Sequence, residues 1–255
     1  MELWYAVFSG LSMVLSIGFP LVLFLYVILK RKSKIRYIFA GAMIFAVFQL
    51  VLRIPLVTFL QGQFWFYANI ASNKVIMALF LSITAGIFEE IGRYVAFKFF
   101  NKYEPTNWDV FSYGVGHGGF ESIALIGINT IFTFIALLYI NFGLLGGFVE
   151  SLPGIFTESS NWIEVLSNTP PHMFLMGGIE RVFAVLLHIA LSFVVAESVF
   201  KKRPKLLLVA ILIHGAVNFV AVMMPNVYLS EIFLLIVAFF SVLYIKSRFK
   251  VEKGS

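Results

Sequence analysis

Residues 109–148 read DVFSYGVGHGGFESIALIGINTIFTFIALLYINFGLLGGF, an apolar run broken by one histidine, one glutamate and a group of glycines. At about 1.5 Å per residue the run is too long for one straight crossing of a hydrocarbon core about 30 Å thick. How it is read decides the fold. Taken as one broken or extended helix, it is the fourth of seven apolar segments, roughly 3–29, 37–58, 75–97, 109–148, 171–200, 204–224 and 227–245. Taken as two crossings, it adds an eighth.

Charge chooses between the two. Lys30, Arg31, Lys32, Lys34 and Arg36 follow the first segment, Lys98 and Lys102 the third, and Lys201, Lys202, Arg203 and Lys205 the fifth, while Lys246, Arg248, Lys250 and Lys253 close the chain. With seven spans, most of the 19 lysines and arginines share one side, which the positive-inside rule makes cytoplasmic. Splitting 109–148 would move the 201–205 cluster to the other side. The expectation is therefore seven transmembrane helices, with the N-terminus outside and the C-terminus cytoplasmic.

Composition supports a membrane protein and excludes a soluble domain: 60% of the 255 residues are hydrophobic, 13% are charged, and the mean hydropathy is +0.95. A net charge of +6 would suit nucleic acid, but the basic residues sit at the ends of apolar runs and read as topology signals. No nucleic-acid partner is expected. With no cysteine there is neither a disulfide framework nor a thiolate metal site. Trp4, Trp65, Trp108 and Trp162 fall at segment ends or in loops, as an interfacial belt requires, and the 149–170 loop carries Glu150, Glu158 and Glu164 without a basic residue. The fold expected is an all-α, polytopic integral protein of the cell membrane, a single helical domain over 1–255 with a polar core at about 75–225.

Ionisable residues inside a membrane are costly and read by default as functional. The third segment carries Glu89, Glu90 and Arg93, the fourth His117 and Glu121, the fifth Glu180, Arg181 and His188, and the sixth His214 and Asn218. Counted from the basic end of each helix, Glu89, His117, His188 and His214 lie about 12–20 Å deep, so four helices of alternating direction deliver polar groups to one layer. Glu89 and Arg93, His117 and Glu121, and His214 and Asn218 are each spaced i, i+4 and share a helix face. Gly114, Gly116, Gly118 and Gly119 around His117 allow close backbone approach or local unwinding. One arginine cannot neutralise two adjacent carboxylates, which leaves one for proton transfer. Arg53, beside Pro55, reads as a snorkelling structural residue, and Glu180 and Arg181 as partners of each other or of Arg53.

At these positions the sequence resembles the YhfC-like branch of the intramembrane protease clan that includes the CAAX prenyl proteases, the bacteriocin-processing enzymes and the PrsW proteases. The clan pattern is a double glutamate followed by a basic residue, an aromatic-x-x-x-His, and a His-x-x-x-Asn/Asp. Glu89, Glu90 and Arg93 match the first element, with Arg93 one position earlier than in the CAAX type; Tyr113 and His117 match the second with Tyr for Phe, and His214 and Asn218 the third. The arrangement also resembles the anterior-pharynx-defective subunit of γ-secretase, a scaffold whose two intramembrane histidines correspond to His188 and His214.

The clan resemblance implies hydrolysis of peptide bonds in the membrane, on a membrane protein or a lipidated peptide. Glu89 or Glu90 would activate water, Arg93 would hold the other carboxylate, and His117, Glu121, His188 and His214 would be the ligand candidates for a catalytic zinc. A metal-free version is equally compatible, with Glu and His117 activating water and His214 and Asn218 stabilising the oxyanion. The rival readings are a scaffold, which would tolerate loss of either glutamate, and a proton-coupled transporter, for which the inverted repeat is missing.

Overall fold

The computed structural model describes residues 3–103, 105–142 and 162–251. Among these, seven helices are long and apolar enough to cross a membrane: Leu3–Leu29, Ile35–Gln61, Lys74–Tyr103, Asn107–Ile140, Pro171–Phe200, Lys205–Met223 and Val227–Lys250. The chain is a multi-pass membrane protein, all-α among the described residues. We number these helices as spans one to seven. Glu150 and Glu158 lie outside the described residues, while Glu164 sits on a short helix, Trp162–Asn168.

Over 109–142, the described part of 109–148, there is one candidate crossing. It is one continuous helix from Asn107, regular through Glu121, with a π-helical turn over Ser122–Gly127 before it resumes at Ile128. The glycines around His117 do not unwind the backbone. They bring helices together: a Cβ on Gly116 would lie 2.0 Å from the Ile38 carbonyl oxygen, and one on Gly41 would lie 2.2 Å from that of Tyr113, so spans two and four meet backbone to backbone.

Two compact units are distinguished by their internal contacts, Met1–Leu21 with Ser122–Val182, and Val22–Glu121 with Phe183–Ser255. Within the first, span one presents Ser9, Ser12 and Ser16 inward, and the Ser16 hydroxyl lies 3.2 Å from that of Thr130. Gly178 packs on Ser12, where a Cβ would come within 2.7 Å of the Ser12 Cα. The Glu180 and Arg181 side chains pair with each other.

The second unit holds the polar layer. Its outward faces are apolar, with Phe39 62% and Phe240 62% exposed, whereas Glu89, Glu90, Arg93, His117, His188 and His214 are all buried. This inversion is what lipid as solvent selects. Arg53 departs from the snorkelling expected of it. Its guanidinium is buried and donates to the Leu81 carbonyl at 2.7 Å and the Thr84 hydroxyl at 3.2 Å, because the π-helical turn Ala46–Arg53 ends facing span three.

Candidate functional site

Span three carries the acidic half of the site. Its helix starts at a cap in which the Asn73 side chain accepts from the Val75 and Ile76 amides, and three turns and more into the membrane it presents Gly86, Glu89, Glu90 and Arg93. Gly86 permits span six to come close, since a Cβ there would lie 2.7 Å from the Ile211 carbonyl oxygen. One turn on, His214 of span six therefore reaches Glu90, donating from Nδ1 to Oε1 at 2.7 Å. Arg93 grips the same carboxylate with Nη1, 2.8 Å from Oε1 and 3.0 Å from Oε2.

Glu89 is held quite differently. Its Oε2 accepts from His117 Nε2 at 3.0 Å, and lies 3.9 Å from both Arg93 Nη2 and His188 Nδ1. Two neighbours in sequence thus occupy unequal positions. Glu90 is saturated by a guanidinium and an imidazole, while Glu89 has one short hydrogen bond and a ring of weaker contacts.

Spans four and five supply the imidazoles. Gly118 brings them together, because a Cβ on it would stand 2.9 Å from the His188 Cβ. His188 is bridged on both nitrogens: Arg93 Nη2 lies 2.5 Å from Nδ1, and Glu121 Oε2 lies 2.5 Å from Nε2. A guanidinium can only donate, so Nδ1 is the acceptor, and Nε2 is in ion-pair contact with Glu121. The ring centroids of His117 and His188, and of His188 and His214, are each 5.3 Å apart.

The structure thus brings Glu89, Glu90, Arg93, His117, Glu121, His188 and His214 into one group joined by hydrogen bonds and ion pairs. Asn218 is the exception, half-buried a turn beyond His214 with no hydrogen bond to the group among the described residues. The i, i+4 spacing does not dictate the pairing. Arg93 bonds Glu90 at i−3 rather than Glu89 at i−4, and Glu121 bonds across to span five. Sequence reasoning gave Tyr113 a place in a motif but no part in the site. It is fully buried, its ring 4.6 Å from Phe97 and 6.3 Å from His117, and its hydroxyl has no hydrogen-bond partner among the described residues. The Tyr-x-x-x-His spacing, which stacks it one turn from His117, was the available signal.

The residues fit a metal ion. One donor atom from each of Glu89, His117 and His188 lies within 4.8 Å of the others. Bonds of about 2.0–2.1 Å to a tetrahedral centre separate ligand atoms by roughly 3.3 Å, and the 3.0 and 3.9 Å spacings bracket that. A Glu-His-His set with an open fourth position is a known catalytic composition. Three carboxylates face one guanidinium in the cluster, a composition that suits a cation. His117 Nδ1 and Arg93 Nε, both buried, have no hydrogen-bond partner among the described residues, but neither is a ligand atom of this set. The Glu121 contact on the far nitrogen of His188 is the carboxylate–histidine arrangement that orients a metal ligand. Arg93 Nη2 alone opposes loading, because it holds His188 Nδ1 and has to withdraw.

A model of the YhfC intramembrane metalloprotease family matches residues 13–251. The chain is 31% identical over 220 residues to the "Uncharacterized membrane protein YhfC" of Bacillus subtilis (strain 168), covering 85% of this chain and 84% of that protein. No solved structure matches. The match spans every residue of the polar cluster and all but the start of the first span, so the chain belongs to the YhfC intramembrane metalloprotease family.

Proposed function

We propose that the protein hydrolyses peptide bonds within the membrane, with Glu89 as the reacting carboxylate and Glu90 as its fixed neighbour. The observation that carries this reading is the unequal pairing of the two. Glu90 accepts from Arg93 and His214 and has little capacity left, whereas Glu89 shares one short bond with His117 and faces the centre of the cluster.

Glu89 takes the proton of an attacking water on whichever carboxylate oxygen is not engaged by a ligand, with His117 beside it. The hydroxide so formed adds to the scissile carbonyl, the C–N bond breaks, and the proton returns to the leaving amine. Arg93 and His214 keep Glu90 ionised in place, and Glu121 fixes the ring of His188. A metal would be held by Glu89, His117 and His188; bound there, it supplies Lewis acidity and a water that ionises near neutral pH. Zinc is the ion proposed, because nitrogen and oxygen donors in a tetrahedral set suit it.

The test compares membranes carrying wild type, Glu89→Gln and Glu90→Gln by quantitative proteomics of fragments. Glu89→Gln is expected to abolish a cleavage product while the purified variant keeps its helical content and melting temperature. A fragment still made by Glu89→Gln removes the protease reading. Metal analysis of the same preparations is expected to give close to one zinc per wild-type chain and a loss of it in His117→Ala with His188→Ala. A metal-free wild type with chelator-insensitive cleavage would instead assign Glu89 and His117 the whole of the proton chemistry.

A further inference from the structure

Behind the polar cluster, spans five, six and seven enclose a second feature that the hydrolytic reading does not use. A groove of about 470 Å³ runs between them, lined by Leu191 and Val194 of span five, Val209 and Ile213 of span six, and Ile236 and Phe240 of span seven. The hydroxyl of Ser241, also on its wall, is spent on the Val237 carbonyl at 2.8 Å. The groove therefore recognises hydrocarbon and nothing polar along its length.

Its size limits the occupant. The lining extends from Leu187 to Val194 on span five and from Leu206 to Val217 on span six, which is about 10–17 Å of helix. That length is about half of a hydrocarbon core about 30 Å thick, the reach of one acyl chain within its leaflet and short of a full transmembrane segment.

One end of the groove is charged. Tyr244, Val194 and Leu206 mark that end, and each is within four residues of the basic cluster or its carboxylate. There Glu197 is shared by Lys201 at 2.6 Å, Arg248 at 3.0 Å and Arg203 at 3.9 Å, and Lys202 and Lys205 stand exposed beside them. Three cations share one carboxylate and two more adjoin them in sequence, so an anion is the complement of this end.

We propose that this groove binds one phospholipid with an anionic headgroup, its acyl chain between spans five, six and seven and its phosphate at the Lys201–Lys205 and Arg248 cluster. Bulk lipid tails are as apolar as the groove wall, so selectivity resides in the headgroup and in the fit of one chain. The site does not depend on the protease reading, but it touches the same helices. Ile213 and Val217 face the groove on the helix that carries His214, and Leu187 and Leu191 flank His188. A bound chain packs against the backs of two of the cluster's helices.

The experiment is native mass spectrometry of the full chain in detergent, titrated with dioleoyl phosphatidylglycerol or dioleoyl phosphatidylcholine. Wild type is expected to retain one phosphatidylglycerol at a concentration at least tenfold below that for phosphatidylcholine. Val194→Trp with Val209→Trp, which fills the groove, is expected to lose the adduct; Arg203→Gln with Lys205→Gln, exposed at the start of span six, is expected to lose the preference without altering folding. Equal retention of the two lipids by wild type, or an adduct that survives the tryptophans, would mean annular lipid only and overturn the site. A photoreactive benzophenone side chain in place of Phe240 gives an independent reading on the otherwise unaltered chain. Crosslinks to lipid support the proposal, and crosslinks to polypeptide refute it.

Discussion

The two units solve the problem of buried polarity in opposite ways. In the first, the fully buried polar residues among those described are serines, whose hydroxyls cost little to desolvate and mostly bond to their own helix, Ser9 to the Tyr5 carbonyl at 2.7 Å and Ser16 to that of Ser12 at 2.8 Å, while the Glu180–Arg181 pair is half-buried. Where a hydroxyl crosses between helices it does so at a π-helical turn, as Ser122 does on the Ser16 carbonyl at 2.7 Å. In the second, three carboxylates, a guanidinium and three imidazoles are desolvated together, and every one of them bonds to a residue of another span or is braced by one that does. Hydroxyls suffice to fasten helices in lipid. An ionised cluster exceeds that need, and its cost is what argues for chemistry.

If the cluster is a single electrostatic object, its keystone should be the group that touches most of it. Arg93 is fully buried and contacts Glu90, His188 and, at longer range, Glu89. Arg93→Ala leaves Glu90 charged, buried and half-paired, and is expected to cost about 3–5 kcal/mol of stability along with all cleavage. Arg93→Lys cannot span Glu90 and His188 at once and is expected to restore folding more than activity. Steric-trap or denaturant unfolding of the purified variants measures both. A loss below about 1 kcal/mol, the size of a surface pair, would mean that the network is not coupled.

Glu89→Gln separates chemistry from architecture. The amide can still meet His117, so stability is expected to change little, whereas cleavage falls by about 100- to 10,000-fold, the usual worth of a general base. Glu90→Gln is expected to show the reverse weighting, with a lower melting temperature as its first symptom. Should the two variants behave alike, the asymmetry between adjacent carboxylates has no functional meaning.

Much of this was legible in the chain itself. Seven spans followed from hydropathy and from the placement of lysine and arginine, because bilayer thickness and the positive-inside rule are global constraints that a sequence displays directly. The shared depth of Glu89, His117, His188 and His214 followed from counting residues. What spacing could not give was partner choice. Helical periodicity puts Glu89 and Arg93 on one face, but whether Arg93 turns to Glu89 or Glu90 depends on where His188 and His214 arrive from other helices, and that depends on Gly86 and Gly118. For the same reason the donor set that converges is Glu89, His117 and His188, with Glu121 behind His188 and His214 on Glu90. Arg53 was misread because a basic residue near a proline at a span's end usually snorkels, and only the neighbouring helix reveals the carbonyl that captures it.

The smallest effect sharpens the comparison from the other side. Ser122 stands next to Glu121 in sequence, yet belongs to the hydroxyl-bonded unit, where it is buried and donates to a carbonyl freed by the π-helical turn of span one. Ser122→Ala removes one neutral hydrogen bond of the kind worth about 0.6 kcal/mol in a helical membrane protein. It is expected to lower unfolding stability by that order and to leave cleavage unchanged, while Glu121→Gln, one residue earlier, alters the tautomer and orientation of His188 and is expected to depress cleavage about 10- to 100-fold. Measured side by side, the two variants place the functional boundary between consecutive residues of one helix. If Ser122→Ala proves as damaging to activity as Glu121→Gln, that boundary does not exist, and hydroxyl packing has to be counted as part of the catalytic apparatus.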